Sequence, residues 1–276
     1  MKLRVLTAIL ITAVMLPVVI FSKYMIYPIV ISLFCAMAIF EVLRVIGVHN
    51  QYSIAIPSYV MGLVLPFCAY FAPENNRHMY IFAISAVVIM YMMYLFVLMV
   101  FRKGFLQYAK VAEIFMIVSY VVISFTSLSL IRYLEKGLYH FLLIFASAWV
   151  TDIFALLSGM LFGKHKLAPQ ISPKKTVEGA IGGVVGSTIV AVIYSIVIDN
   201  ITDVDVNYVA LVIFAIVLSF VGQAGDLLAS VIKREHNVKD YGTLLPGHGG
   251  IMDRFDSVLA VSTVLLLGCI FVPPYV

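Results

Sequence analysis

Read from the amino terminus, the chain alternates long apolar runs with short polar breaks. Each run is close to the length that crosses a bilayer, which for a helix is about twenty mostly apolar residues. Such runs cover approximately residues 5–21, 24–43, 54–72, 79–101, 111–131, 138–162, 177–198, 207–229 and 257–273. Pro, Asn, Gly and charged residues punctuate the gaps, as in Ala72-Pro73-Glu74-Asn75-Asn76-Arg77. The pattern predicts an all-α fold, a polytopic transmembrane helical bundle of about nine spans, because only helices or closed barrels satisfy their backbone polar groups in lipid.

Composition agrees with that reading. Hydrophobic residues make up 63% of the chain and charged residues 12%, whereas a soluble domain is roughly half apolar and about a quarter charged. Cys35, Cys68 and Cys269 lie in separate apolar runs without metal-ligand spacing and read as packing residues. Met1-Lys2-Leu3-Arg4 and the apolar run after it resemble a secretory signal, but no small-x-small cleavage site follows, so a retained first span is expected. Basic residues form no stripe, which argues against a nucleic-acid partner.

The placement of those bases predicts an orientation. With the amino terminus cytoplasmic, Lys2, Arg4, Arg44, Arg102, Lys103, Lys110, Lys164, Lys166, Lys174, Lys175, Lys233, Arg234, Lys239 and Arg254 fall on the cytoplasmic side. Only Lys23, Arg77, Arg132 and Lys136 fall on the other. That is the positive-inside bias. Residues 1–130 read as an amino-terminal set of generic spans. Residues 131–276 read as a catalytic transmembrane region with two cytoplasmic motif loops, in a cell (inner) membrane.

The chemistry is concentrated in those loops. In Gly225-Asp226-Leu227-Leu228-Ala229-Ser230-Val231-Ile232-Lys233-Arg234, a helix places Asp226, Ser230 and Lys233 on one face. In Leu245-Pro246-Gly247-His248-Gly249-Gly250-Ile251-Met252-Asp253-Arg254-Phe255-Asp256, the glycines let backbone N–H groups approach an anion, and Asp253 and Asp256 sit one turn apart at a helix start. Carboxylates from two segments, Asp226 and Asp253, are what a hard divalent cation such as magnesium takes, with substrate phosphates and water completing its shell. Lys233, Arg234, Lys239 and Arg254 would neutralise phosphate oxygens, and His248 could donate to a phosphate or a leaving group. The third constellation is Asp152 in an apolar helix, followed by Gly163-Lys164-His165-Lys166 and Ser172-Pro173-Lys174-Lys175-Thr176-Val177-Glu178-Gly179. Ser172-Pro173 predicts a helix start whose positive end, with Lys174 and Lys175, makes an anion site. Together these features point to phosphoryl or nucleotidyl transfer. Gly159/Gly163, Gly179/Gly183 and Gly182/Gly186 read as helix-packing pairs.

The run Ser230-x-x-Lys233-Arg234-x4-Lys239-Asp240-x-Gly242, then Pro246-Gly247-His248-Gly249-Gly250-x-x-Asp253-Arg254-x-Asp256, resembles the signature of phosphatidate cytidylyltransferases, the CDP-diacylglycerol synthases. Asp152 and Ser172-Pro173-Lys174-Lys175-Thr176-x-Glu178-Gly179 are similar to a second motif of that family. The resemblance implies condensation of CTP with phosphatidate, giving CDP-diacylglycerol and pyrophosphate, by a homodimer that uses magnesium and a monovalent cation such as potassium. It places Asp226 and Asp253 at metal-binding positions and implies catalytic roles for Lys233, Arg234, His248 and Arg254. Substrate contacts are implied for Asp152, Ser172, Lys174, Lys175, Thr176, Ser230, Lys239, Asp240, Gly247, Gly249, Gly250 and Asp256. Two positions depart from the family pattern: Ala229 stands where the family usually has Glu, and Tyr241 where it commonly has a small residue. Other readings of the same residues are a CDP-activated ether lipid synthase, a lipid-alcohol kinase, and a transporter. A CDP-alcohol phosphotransferase is disfavoured because its D-x-x-D-G-x-x-A-R element is absent.

Overall fold

The computed structural model describes residues 17–72, 77–102, 106–244 and 249–276. Its helices are α1 (Ile26–Val45), α2 (Tyr52–Cys68), α3 (Arg77–Phe101), α4 (Tyr108–Arg132), α5 (Gly137–Phe145), α6 (Thr151–Phe162), α7 (Val177–Ile201), α8 (Tyr208–Glu235) and α9 (Met252–Phe271). A 3₁₀ turn, Ala69–Phe71, prolongs α2, and a π-helical segment, Ala146–Val150, joins α5 to α6. The described residues contain eight helical spans long and apolar enough to cross a membrane. They match the expected runs from 24–43 onward. The expected first span, 5–21, falls largely outside the described residues. The protein is an all-α polytopic membrane protein.

One correction concerns the stretch after α6. Ser172 does not begin a helix: Ser172–Thr176 is a strand (β2) that pairs antiparallel with Lys166–Ala168 (β1). The helix starts at Val177, where the Thr176 hydroxyl accepts from the Gly179 N–H at 3.1 Å. Glu178, in the first turn of that helix, ties its start to the loop before β1, accepting from the backbone of Lys164 at 3.1 Å and of His165 at 3.2 Å.

Two compact units divide the chain, and each has its own core. The first takes the residues up to Leu130 together with Asp240–Arg254. Tyr27, Ile31, Cys35, Ile39 and Leu43 of α1 are buried, as are Ile114, Val118, Val121 and Phe125 of α4. The Tyr27 hydroxyl donates to the Leu128 carbonyl at 2.9 Å, and Ser58 and Tyr91 share a buried hydrogen bond of 2.8 Å.

The second unit comprises Ile131–Lys239 and Phe255–Val276. Its tightest pairing is α6 against α7, where small residues replace side chains at the crossing. A Cβ on Gly183 would stand 2.9 Å from the Thr151 carbonyl oxygen and 3.1 Å from the Ala155 Cβ. The Thr151 hydroxyl donates to Ser219 at 2.8 Å, and the Gln223 amide donates to the Ala180 carbonyl at 3.3 Å, so polar ties fix the register of α6, α7 and α8. At the other end, Val206 bridges to Tyr275, whose hydroxyl shares a 2.8 Å hydrogen bond with Ser195. Outward positions of α6, α7 and α8, such as Leu161, Ile181, Ile193 and Val209, are exposed and apolar, as lipid contact requires.

Because the Thr151 carbonyl is backbone and cannot turn away, Gly183→Val should force α6 and α7 apart. The expected cost is about 1–3 kcal/mol, read as a lower melting temperature of the detergent-purified protein. Ile181→Val, on the exposed side of the same helix, should leave it unchanged.

Candidate active site

The polar centre of the second unit is built from the ends of its helices. The π-helical segment sits immediately before Thr151-Asp152; such segments insert an extra residue into a helix and re-aim the side chains that follow. Asp152, Asp226 and Asp256 interact electrostatically with one another, with Lys175 facing Asp152 and Lys233 facing Asp256. The Lys175 ammonium forms an ion pair with the Asp226 carboxylate. Asp152 is exposed, Asp226, Asp256 and Lys175 are half-buried and Lys233 is buried. Three acids and two bases thus gather at the partly open polar edge of an apolar unit, a costly arrangement unless the group has a task. Gly225 makes it possible: a Cβ there would stand 2.7 Å from the Ala260 Cβ, so α8 and α9 cross most closely one residue before Asp226.

The hairpin delivers the lysines with opposite orientations, as successive strand residues must. Lys174 is exposed, while Lys175 is half-buried and turned toward Asp226. Arg234, at the end of α8, donates to the carbonyls of Ile171 at 3.5 Å and Val238 at 3.2 Å, which fastens that helix end to the hairpin tip. Asn237 adopts a left-handed conformation (φ 55°), and the Val238 N–H returns to the Lys233 carbonyl at 2.9 Å, so α8 stops in a Schellman-type turn. Lys233 and Arg234 thereby occupy the last turn, where the helix dipole favours cations. Ser230 is half-buried on α8, Lys233 is buried and Lys239 is exposed.

In the first unit, Asp253 ties together the two described stretches around it, 240–244 and 249–254. Its Oδ2 accepts from the Tyr241 N–H at 2.7 Å and from the Gly250 N–H at 3.0 Å. Gly249 is in the left-handed region (φ 82°), a conformation that favours glycine, and a Cβ there would meet Asp253 Oδ2 at 2.7 Å. Asp253 is buried, whereas Asp240 and Arg254 are exposed. Gly247 and His248 lie outside the described residues. Tyr241, where the family commonly has a small residue, is fully buried and serves as an anchor for the segment. Ala229, in place of the usual Glu, is buried on α8.

Sequence reasoning missed two residues of this segment's support. Glu41, buried on α1, accepts from the backbone N–H groups of Ile251 at 3.0 Å and Met252 at 2.9 Å. One turn later, Arg44 donates to the Tyr241 carbonyl at 2.7 Å. The available signal was the carboxylate itself, since Glu41 stands in an apolar run where an unpaired charge is not tolerated.

The donors of the Asp152–Asp226–Asp256 group are carboxylate oxygens, the ligand type of a hard cation. Among the described residues, no three His, Cys, Asp or Glu side chains come together closely enough to hold a metal ion by themselves. A divalent cation held here would take one or two of these carboxylates and complete its shell from phosphates and water.

Comparison with known proteins gives the same assignment. The sequence profile of the cytidylyltransferase family matches residues 2–271. A phosphatidate cytidylyltransferase of Staphylococcus haemolyticus is 34% identical over 272 residues, covering 96% of this chain and 97% of that protein. Its counterpart in Staphylococcus saprophyticus is 35% identical over 271 residues, with the same coverage. That of Staphylococcus aureus (strain COL) is 34% identical over 268 residues, again covering 96% and 97%. With its motif residues gathered in these two clusters and a match running nearly from end to end, the chain belongs to the cytidylyltransferase family.

Proposed function

We propose that this protein condenses CTP with phosphatidate, giving CDP-diacylglycerol and pyrophosphate, at the cytoplasmic face of the cell membrane. The observation that carries the reading is the charged group Asp152, Lys175, Asp226, Lys233 and Asp256 within an otherwise apolar unit, in a chain whose relatives are named phosphatidate cytidylyltransferase. In the reaction, a phosphate oxygen of phosphatidate attacks the α-phosphorus of CTP. The bond from that phosphorus to the bridging oxygen breaks, and pyrophosphate leaves with the electron pair. The nucleophile is already an anion, so no strong general base is needed. What the chain must supply is proximity of two mutually repelling anions and neutralisation of the charge that grows on the leaving group.

Lys174, Lys175, Lys233 and Arg234 suit that task because they are fixed at the hairpin and the end of α8 instead of being spread over mobile loops. Ser172, Thr176 and Ser230 would add neutral donors, and Gly249 and Gly250 backbone contacts to a phosphate. Lys239 in the second unit, and Asp240 and Arg254 in the first, are exposed and would be available to substrate. Asp226 is the carboxylate proposed to hold magnesium in the second unit. Asp253, also expected from its motif to bind the ion, has the added task of organising its own segment. When bound, magnesium supplies charge compensation across the phosphates. A monovalent cation such as potassium and a homodimeric state are proposed from the family likeness. The acyl chains of phosphatidate stay in lipid, and the head group enters laterally between helices. The names of the relatives favour phosphatidate over an ether lipid or a lipid alcohol as acceptor.

Purified protein given CTP, phosphatidate and magnesium should release pyrophosphate and yield CDP-diacylglycerol, identified by mass spectrometry; absence of both products would remove the reading. Chelation should stop turnover and added magnesium restore it. Asp226→Asn should lower kcat at least about a hundred-fold, the scale on which loss of one fixed transition-state contact is felt, with the melting temperature close to that of the wild type. Orientation is checked separately. A cysteine at position 239, in a background with Cys35, Cys68 and Cys269 replaced by Ala, should react with a membrane-impermeant maleimide only when the cytoplasmic face is exposed.

A further inference from the structure

The geometry points to Glu41 as a positioning residue for the reaction: from α1 it caps the amino terminus of α9 and holds residues 249–254 in their working shape. The first turn of any helix leaves backbone N–H groups without intrahelical partners, and a side chain just before the helix ordinarily accepts from them. In α9 that part is taken by a residue far away in sequence. The two carboxylate oxygens of Glu41 are divided between the N–H groups of Ile251 and Met252, at separations of 210 and 211 residues. Glu41 is 4% exposed, so the bonds are made without competition from water, at the positive end of the helix where a carboxyl group is favoured.

A second contact shows that the shape of the segment has been fitted to this carboxylate. A methyl group built on Gly242 or on Gly250 would overlap the Glu41 carboxyl group. Gly250 does not have a positive φ, so its lack of a side chain is required by Glu41 and not by its backbone conformation. Arg44 then holds the opposite end of the segment through the Tyr241 carbonyl, while Asp253 ties Tyr241 to Gly250 from within. α1 therefore grips both ends of the motif segment, and Glu41 fixes the turn from which Asp253 and Arg254 project. Glu41 itself contacts backbone and touches no proposed substrate atom. Its effect is on the placement of other groups, where a displacement of about 1 Å can cost about a hundred-fold in rate.

The inference deepens the proposed nucleotidyl transfer, and its test separates the two. Amide hydrogen exchange is measured on wild type, Glu41→Gln and Glu41→Ala in detergent, alongside turnover of CTP and phosphatidate. In Glu41→Ala, peptides covering 249–254 should exchange faster while peptides from α7 keep wild-type protection, and kcat should fall about a hundred-fold with the KM for phosphatidate little changed. Glu41→Gln, which keeps one acceptor oxygen, should lie between. Gly250→Ala should impair the wild type yet cost little further in the Glu41→Ala background, because the three atoms nearest to the added methyl group all belong to the Glu41 carboxyl group. Unchanged exchange at 249–254 in both Glu41 variants, or additive effects of Glu41→Ala and Gly250→Ala, would overturn the positioning role. Should Glu41→Ala not fold, the Glu41→Gln exchange pattern decides the matter. If wild type releases no pyrophosphate, the proposed reaction fails, while the exchange measurements still judge Glu41.

Discussion

A charged side chain surrounded by apolar helices has to find its partners inside the protein, because lipid offers none and leaving it bare costs several kcal/mol. That constraint organises both units. In the second, Asp226 is held by Lys175, and Asp152 and Asp256 draw Lys175 and Lys233 into the same neighbourhood. In the first, Glu41 and Asp253 each accept from backbone N–H groups. The two solutions have different consequences. An ion pair can be reopened by a competing phosphate, whereas amides bound to a carboxylate fix a backbone in place. The second unit's acids and bases are thus suited to exchange partners with substrate, and the first unit's acids to shape a loop.

The membrane spans were legible because length and apolarity are local properties, and a run such as 177–198 announces itself without reference to any other part of the chain. Asp152 and Asp226 were legible for the complementary reason that a carboxylate in such a run has no bland explanation. The hairpin was not. Ser172-Pro173 is a good helix-start pair by local preference, yet the β1–β2 pairing and the cap supplied by Thr176 move the start to Val177. Local preference lost to a pairing beyond the window in which it was judged.

Glu41 carried the same signal, a carboxylate in an apolar run, but its task was illegible for a different reason. Its partners are backbone amides, which carry no residue identity to search for, and they lie more than two hundred positions away. Gly250 looked like one of several loop glycines suited to approach an anion. The anion it demonstrably approaches is one of the protein's own. Tyr241 likewise looked like a departure from the family pattern and proves to be a buried anchor whose N–H and carbonyl are both engaged.

The long sequence separation of the Glu41 contacts also bears on biogenesis. Glu41 is made 210 residues ahead of Ile251 and 211 ahead of Met252. Until those residues emerge, its carboxyl group waits in a nascent helix without the amides it will finally bind. A chain stalled before Ile251 therefore carries that acid unsatisfied in an otherwise greasy helix.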